Sequence, residues 1–358
     1  MALTARFDVT GPALALSDLG RVHLIAIGGA GMSAVARLLL ERGVAVSGSD
    51  AADSPALEAL RSLGARVHLG HDAAHLTGVD TVVVSSAIRD ENVELAAARS
   101  AGLRVLHRSQ ALASLMVGSR RVAVAGANGK TTTTSMLVVA LEAAGAHPSF
   151  ASGAEIAQLG TNAAIGEGSA FVVEADESDG TFLAYRPDVA VVTNVQPDHL
   201  DHYGTAERVE EAYHEFVSTV PADGLVVACW DDPGSRRLTM AVRDLGRSVV
   251  TYGYASGADL QVLRTEPDGL GTHSSFVAAD VGRTLDLLVP GEHNVMDACA
   301  AYLAAVEGLG ADPDAVLAGL AGFAGARRRF EVRGQVGGVT VVDDYAHNAP
   351  KVAAVVGT

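Results

Sequence analysis

The sequence predicts an α/β fold in two consecutive domains, each a parallel sheet with helices packed on it. Three observations predict it. Short β-branched apolar runs alternate with stretches of helical period along most of the 358 residues. Two of those runs break at a glycine loop that opens a helix. The composition, 49% apolar with only 4% aromatic, fits stacked α/β layers built from Ala, Val and Gly.

In chain order, Val22 to Ile27 reads as a strand, and Gly28-Gly29-Ala30-Gly31-Met32-Ser33-Ala34 turns into a helix through Leu40. Gly29-x-Gly31-x-x-Ala34 is the dinucleotide-type fingerprint with Ala in its third place, and Asp50 falls about 20 residues on, after a strand at Val44 to Val46. Alone this pattern is weak and permits NAD. Arg66 to Leu69, Thr81 to Ser85, the helix Val93 to Ala101 and Val105-Leu106 continue the alternation. A Rossmann-like domain over 1–118 is expected. His68, His71, His75 and His107 lack Cys or carboxylate neighbours at metal spacing, so surface or supporting places are expected for them.

The second glycine loop organises the rest. Arg121 to Ala125 is a buried-strand run, broken by Gly126-Ala127-Asn128-Gly129-Lys130-Thr131-Thr132 before a helical pattern begins. Strand, glycine loop and helix make a phosphate cradle, in which Lys130 meets β/γ-phosphate and Thr131 offers a hydroxyl to Mg²⁺. The strict P-loop pattern wants Gly where Val124 stands, so the loop is a shorter one. Of 26 basic residues only Lys130 and Lys351 are lysine, so a lysine at this place is not surface decoration.

GTNAAIGEG (160–168) reads as a glycine-bounded turn region, followed by a strand Ala170 to Val173 that ends in Glu174, with Asp176, Glu177 and Asp179 behind it. A carboxylate there is where a nucleotide-bound Mg²⁺ finds a second anchor. A third strand, Asp188 to Thr193, leads to Asp198-His199-Leu200-Asp201. His199 is a candidate ligand, oriented by Asp198 or Asp201. All three loops are expected at one crevice. A helix Glu207 to Val220, a strand Gly224 to Cys229, a β-rich stretch 248–288 and a helix from Pro290 to Val306 follow, giving a second domain over 119–325.

A net charge of −16 argues against a nucleic-acid or anionic-membrane partner, so an anionic substrate has to be met by local loops and cations. Cys229 and Cys299 make no disulfide framework. The N-terminus carries no apolar core with a basic flank and no apolar run approaches ~18 residues, so a cytoplasmic protein without a membrane partner is expected. At the other end, Val339 to Val342 is a strand ending in Asp343-Asp344-Tyr345. The residues from Ala326 to Thr358 are too few for a domain of their own.

GGAGMS (28–33), GSD (48–50), VVSSAI (83–88), GANGKTTTTSM (126–136), EADESDG (174–180), TNVQPDHLDHYG (193–204), PGEHN (290–294), RRFE (328–331) and DDYAH (343–347) occur in the order found in the Mur ligases, which this chain resembles over nearly its whole length. The resemblance implies a UDP-binding Rossmann-like domain, a central ATPase domain, and only the first strand of a third, amino-acid-binding Rossmann-like domain at 326–358. It implies ATP and Mg²⁺ as cofactors, with UDP-N-acetylmuramate and L-alanine as substrates joined through an acyl phosphate.

Carried over by position, the resemblance makes Lys130, Glu174 and His199 catalytic, and Thr131, Glu174 and His199 the metal ligands. Gly126 to Thr132, His293, Asn294, Asp297, Arg328, Arg329 and Asp344 would surround ATP. Gly28, Gly29, Ala30, Gly31, Met32, Ser33, Asp50, Ser85 and Ser86 would hold the UDP-sugar. Three departures stand out: Ala127-Asn128 for Thr-His, Asp297 for Asn, and Asn348-Ala349 before Pro350. A ligase adding a whole peptide to the same sugar, and a UDP-sugar binder without catalysis, remain as other readings. An NAD-dependent oxidoreductase would leave Lys130, Glu174 and His199 without a use.

Overall fold

The computed structural model describes residues 7–346 and 349–356; His347 and Asn348 lie outside the described residues. It divides into two compact units. The first comprises 1–119 with 163–165 and 179–185, and the second takes the remainder.

The first unit carries five strands: β1 (Val22–Ile25), β2 (Val46–Asp50), β3 (Arg66–Leu69), β4 (Thr81–Val84) and β5 (Arg104–His107). They pair in parallel in the order β3-β2-β1-β4-β5, a doubly wound sheet whose direction reverses beside β1. β1 and β4 are buried along their whole length, as expected of parallel strands covered on both faces. β2 begins two residues later than the apolar triplet Val44-Ala45-Val46 indicates. The polar residues Ser47 and Ser49 are accepted into it because neighbouring polar groups meet their hydroxyls. Asp50 is therefore the last residue of a strand and not part of the turn behind it.

A buried polar cluster underlies this sheet. Glu94 is wholly buried, at 0% exposure. It accepts from Ser49 Oγ (2.5 Å) and is met by His71 Nδ1 (2.9 Å) and His75 Nδ1 (2.8 Å), with His23 Nε2 at 3.5 Å. Burial alone would raise its pKa. The close approach of His23 and the hydrogen bonds with Ser49, His75 and His71 outweigh that and hold the carboxyl well below the usual range. His68 stacks on His75 with ring centroids 4.0 Å apart, and burial lowers its basicity. His71 and His75 are half-buried against Glu94, and His107 is buried.

Among the described residues ten strands, all of the second unit but for the last two residues of β8, form one sheet: β6 (Arg120–Ala125), β7 (Ser149–Ile156), β8 (Thr161–Ala164), β9 (Ala170–Glu174), β10 (Val189–Val192), β11 (Leu225–Cys229), β12 (Val249–Gly253), β13 (Leu260–Asp268), β14 (Gly271–Ala278) and β15 (Val281–Leu287). Their order is β15-β14-β13-β12-β11-β10-β6-β9-β7-β8. β6 lies between β10 and β9, parallel to both, so the loops leaving all three emerge side by side at their carboxyl ends. β8 corrects the reading of 160–168 as turn alone. The segment is polar and glycine-flanked, and takes strand form as the last strand of the sheet.

Beyond Arg329 the chain forms a two-stranded antiparallel ribbon, β16 (Glu331–Val336) with β17 (Val339–Asp343), and a helix Ala349–Val356. This is one strand and one helix more than the sequence indicated. Val336 and Val339 are exposed on the ribbon.

Candidate functional site

A cavity of about 780 Å³ opens in the second unit over the carboxyl ends of β6, β9 and β10. Its polar floor is the glycine loop with Glu174, Asp176, Asn194 and His199. Cys229, Tyr252, Val289, Met296 and Phe323 supply an apolar flank, and Arg329 and Asp344 stand at its other side.

The loop conformation follows from its glycines. Gly126 has φ 141° and passes so close to Thr193 that a Cβ would lie 1.9 Å from its hydroxyl. Gly129, at φ 84°, caps the helix Lys130–Ala143 in the left-handed region. Thr193 Oγ1 donates to the Asn128 carbonyl (2.5 Å), while Asn128 N–H donates to Asn194 Oδ1 (2.9 Å). Asn128 Nδ2 reaches Gln196 Oε1 at 3.2 Å, and Asn128 Oδ1 is buried with no hydrogen-bond partner among the described residues. The helix has no acidic residue of its own in its first turn to offset the positive end of its dipole.

Lys130 Nζ donates to the Gly126 carbonyl at 2.7 Å and pairs with both oxygens of Glu177, at 3.0 and 2.8 Å. Burial opposes the lysine's charge, but Glu177 and Glu174 outweigh it and keep the ammonium protonated above its ordinary range. Burial pushes the Glu177 carboxyl up, against the pull of Lys130. Glu177 was one acid among four in the motif; only its position opposite Lys130 singles it out.

Thr131 Oγ1 donates to Glu174 Oε1 at 3.0 Å and accepts from Arg329 Nη2 at 3.2 Å. The other Glu174 oxygen accepts from Gly153 N–H at 2.6 Å. His199 sits apart from this pair. It is a left-handed residue (φ 53°) whose Nε2 is 3.8 Å from Glu177 and 4.0 Å from Asp198. Asp198 takes up the His199 amide at 2.9 Å and does not orient the ring; Asp201 is exposed on the following turn. Among the described residues no three His, Cys, Asp or Glu side chains stand ready to hold a metal.

The remaining expected residues divide. His293 lines the cavity, and burial lowers its basicity so that it stays neutral. Asn294 also lines it, but its amide nitrogen is taken up by the Pro290 carbonyl at 2.6 Å. Arg329 faces the cavity. Arg328 does not line it: it is exposed and lies over the Tyr345 ring at 5.1 Å. Asp344 accepts from the amides of Phe330 and Ala346, both at 2.7 Å, and so fixes the segment that carries Arg329. Asp297 is buried, against Gly129 and not at the apolar flank.

In the first unit a second cradle lies at the N-terminus of the helix Ala30–Glu41, which has Gly29 as cap and no acid in its first turn. Asp50 Oδ2 accepts from the Gly28 amide at 2.9 Å, so its carboxylate shapes the loop. Met32 is buried in the core, and the half-buried Ser33 donates its hydroxyl to the Ala30 carbonyl at 3.1 Å. Ser85 is half-buried at the end of β4. Ser86 bonds Asp179 and lies 3.1 Å from His107 Nε2. The residue the sequence did not reveal is Arg108. Its guanidinium closes on Gly31, where a Cβ would meet Nη1 at 2.0 Å.

Comparison with known proteins bears on both cradles. Residues 21–120 match the model of the Mur ligase family catalytic domain, and residues 124–305 match that of the Mur ligase middle domain. The chain is 57% identical over 353 residues to a UDP-N-acetylmuramate–L-alanine ligase of Kineococcus radiotolerans, covering 97% of this chain and 74% of that one. A ligase of the same name from Renibacterium salmoninarum is 54% identical over 342 residues, 95% of this chain and 72% of the relative. Among solved structures, a UDP-N-acetylmuramate–alanine ligase from Thermotoga maritima superimposes with TM-score 0.81 at 29% identity, over 94% of this chain and 77% of that one. A murein peptide ligase from Psychrobacter arcticus gives 0.78 at 26% identity, over 94% and 75%.

Proposed function

The chain belongs to the Mur ligase family, and we propose on that premise that it joins L-alanine to the carboxylate of UDP-N-acetylmuramate, driven by ATP, in the synthesis of peptidoglycan precursor. The observation that carries the choice of L-alanine is that both curated relatives, at 57% and 54% identity over nearly the whole chain, are UDP-N-acetylmuramate–L-alanine ligases. Such a reaction, fed by ATP and a UDP-sugar, belongs in the cytoplasm, and among the described residues no helix is long and apolar enough to cross a membrane.

In this reading the substrate carboxylate attacks the γ-phosphorus of ATP, ADP leaves, and the alanine amine then displaces phosphate from the acyl phosphate. Lys130 turns from Glu177 to the β- and γ-phosphates, and the Gly126–Thr132 amides hold their oxygens. The orphaned Asn128 Oδ1 is an acceptor suited to the exocyclic amine of adenine. Thr131 and Glu174 present hard oxygen donors 3.0 Å apart, a donor set that fits Mg²⁺ with its remaining positions left to phosphate and water. His199, whose Nε2 lies 3.8 Å from Glu177, is the proposed contact to a second ion near the acceptor carboxylate. Bound Mg²⁺ supplies neutralisation of charge on the transferred phosphoryl group.

The test is ATP-dependent phosphate release with UDP-N-acetylmuramate, with and without L-alanine, and the product mass. L-Alanine-dependent amide formation is the expected result. Product only with a peptide acceptor would favour the murein-peptide reading instead. A companion measurement addresses the first cradle: Arg108→Ala is expected to weaken UDP-N-acetylmuramate about tenfold, for a charge-assisted contact of about 1.5 kcal/mol, with ATP affinity unchanged. Unchanged sugar-nucleotide affinity would remove Arg108 from the site.

A further inference from the structure

Asp297 is a carboxylic acid in the wall of a cavity meant for a polyphosphate. It is 7% exposed, and its Oδ1 accepts from Thr133 Oγ1 at 3.0 Å. The same oxygen lies where a Cβ on Gly129 would meet it at 2.4 Å, so the carboxyl is wedged beneath the loop glycine that starts the helix. An ionised carboxylate there would stand behind the amides that have to receive phosphate.

We propose that Asp297 is a proton-dependent positioning residue of this phosphate cradle: as the neutral acid it props Gly129 and Thr133 in the receptive geometry, and as the anion it opposes nucleotide binding. The inference rests on the nucleotide reading of the cavity. It also gives the departure from Asn a physical sense, since a protonated carboxyl offers one acceptor and one donor as a carboxamide does. Burial raises the acid to about 8, against the hydrogen bond from Thr133 and the charge of Arg329.

The groups around Asp297 do not blur the effect. On the helix Lys130–Ala143 the cation at that end is Lys130, held protonated above its ordinary range. From β12, Tyr252 is pushed up by burial and stays neutral, and from β11 burial pushes the Cys229 thiol up to about 11, above the range tested. On its own helix Cys299 is likewise pushed up and His293 down, so both remain neutral in mild alkali. Arg329, from the tail segment, is a permanent cation.

The experiment is calorimetric titration of MgATP into the protein and into Asp297→Asn between about pH 7 and about pH 9.5. Wild-type affinity should fall about tenfold or more across that range while the variant stays flat. Thermal melts supply the second reading. An acid whose folded value is raised loses stability as pH climbs from the unfolded value of 3.8 to about 8, so the variant's advantage in Tm should widen over that interval. Equal pH dependence in the two proteins overturns this inference alone. Absence of ATP binding at every pH overturns the nucleotide reading, and this inference with it.

Discussion

Lys130→Ala is expected to lower ATP-dependent phosphate release by about 10²–10³-fold or more, the loss found when one preorganised charge-stabilising donor is removed. Affinity for UDP-N-acetylmuramate should be unchanged, because the sugar-nucleotide cradle is built in the first unit and Lys130 lies in the second. The substitution also strands Glu177, 2% exposed and without its cation. A buried carboxyl left so will take up a proton or destabilise the fold. The double variant Lys130→Ala, Glu177→Gln separates the effects: stability should return and activity should not. Full activity in either protein would exclude Lys130 from the chemistry.

The second large effect concerns stability. Glu94→Ala removes the wholly buried common acceptor of the cluster and leaves the buried Ser49 and the half-buried His71 and His75 without it. Breaking a buried polar pair from one side costs about 3–5 kcal/mol. The pH sign follows from the depressed folded value. The carboxylate's contribution is complete above its unfolded value near 4.5 and is lost as pH falls below it, so acid should erase most of the difference between wild type and Glu94→Gln. Denaturation should be followed by circular dichroism, since the single tryptophan, Trp230, belongs to the second unit. A change under 1 kcal/mol would show that the site repacks.

What the sequence made legible was local. Strand, glycine loop and helix are contiguous signals, so Lys130, Thr131 and Glu174 were found together with the crevice that joins them. Arg108 carries no such signal: it is one arginine among 24, and only the fold brings its guanidinium to Gly31. Glu177 was indistinguishable from the acids beside it until Lys130 was seen between its oxygens. The start of β2 was misplaced because three apolar residues outweighed the serines, whose partners His23 and Glu94 lie far off in the sequence. Asp297 was expected around ATP as a departure from Asn, and its burial beneath Gly129 is something no linear pattern encodes.

The scarcity of lysine has an analytical consequence. Apart from the α-amino group, Lys130 and Lys351 are the amines an acylating reagent can find in this sequence. Lys130 is 14% exposed and clasped by Glu177, so its modification should be slow at rest and slower still with nucleotide bound. Peptide mapping after brief acylation, with Lys351 as a second amine in the same digest, thus turns the phosphate cradle into its own occupancy gauge.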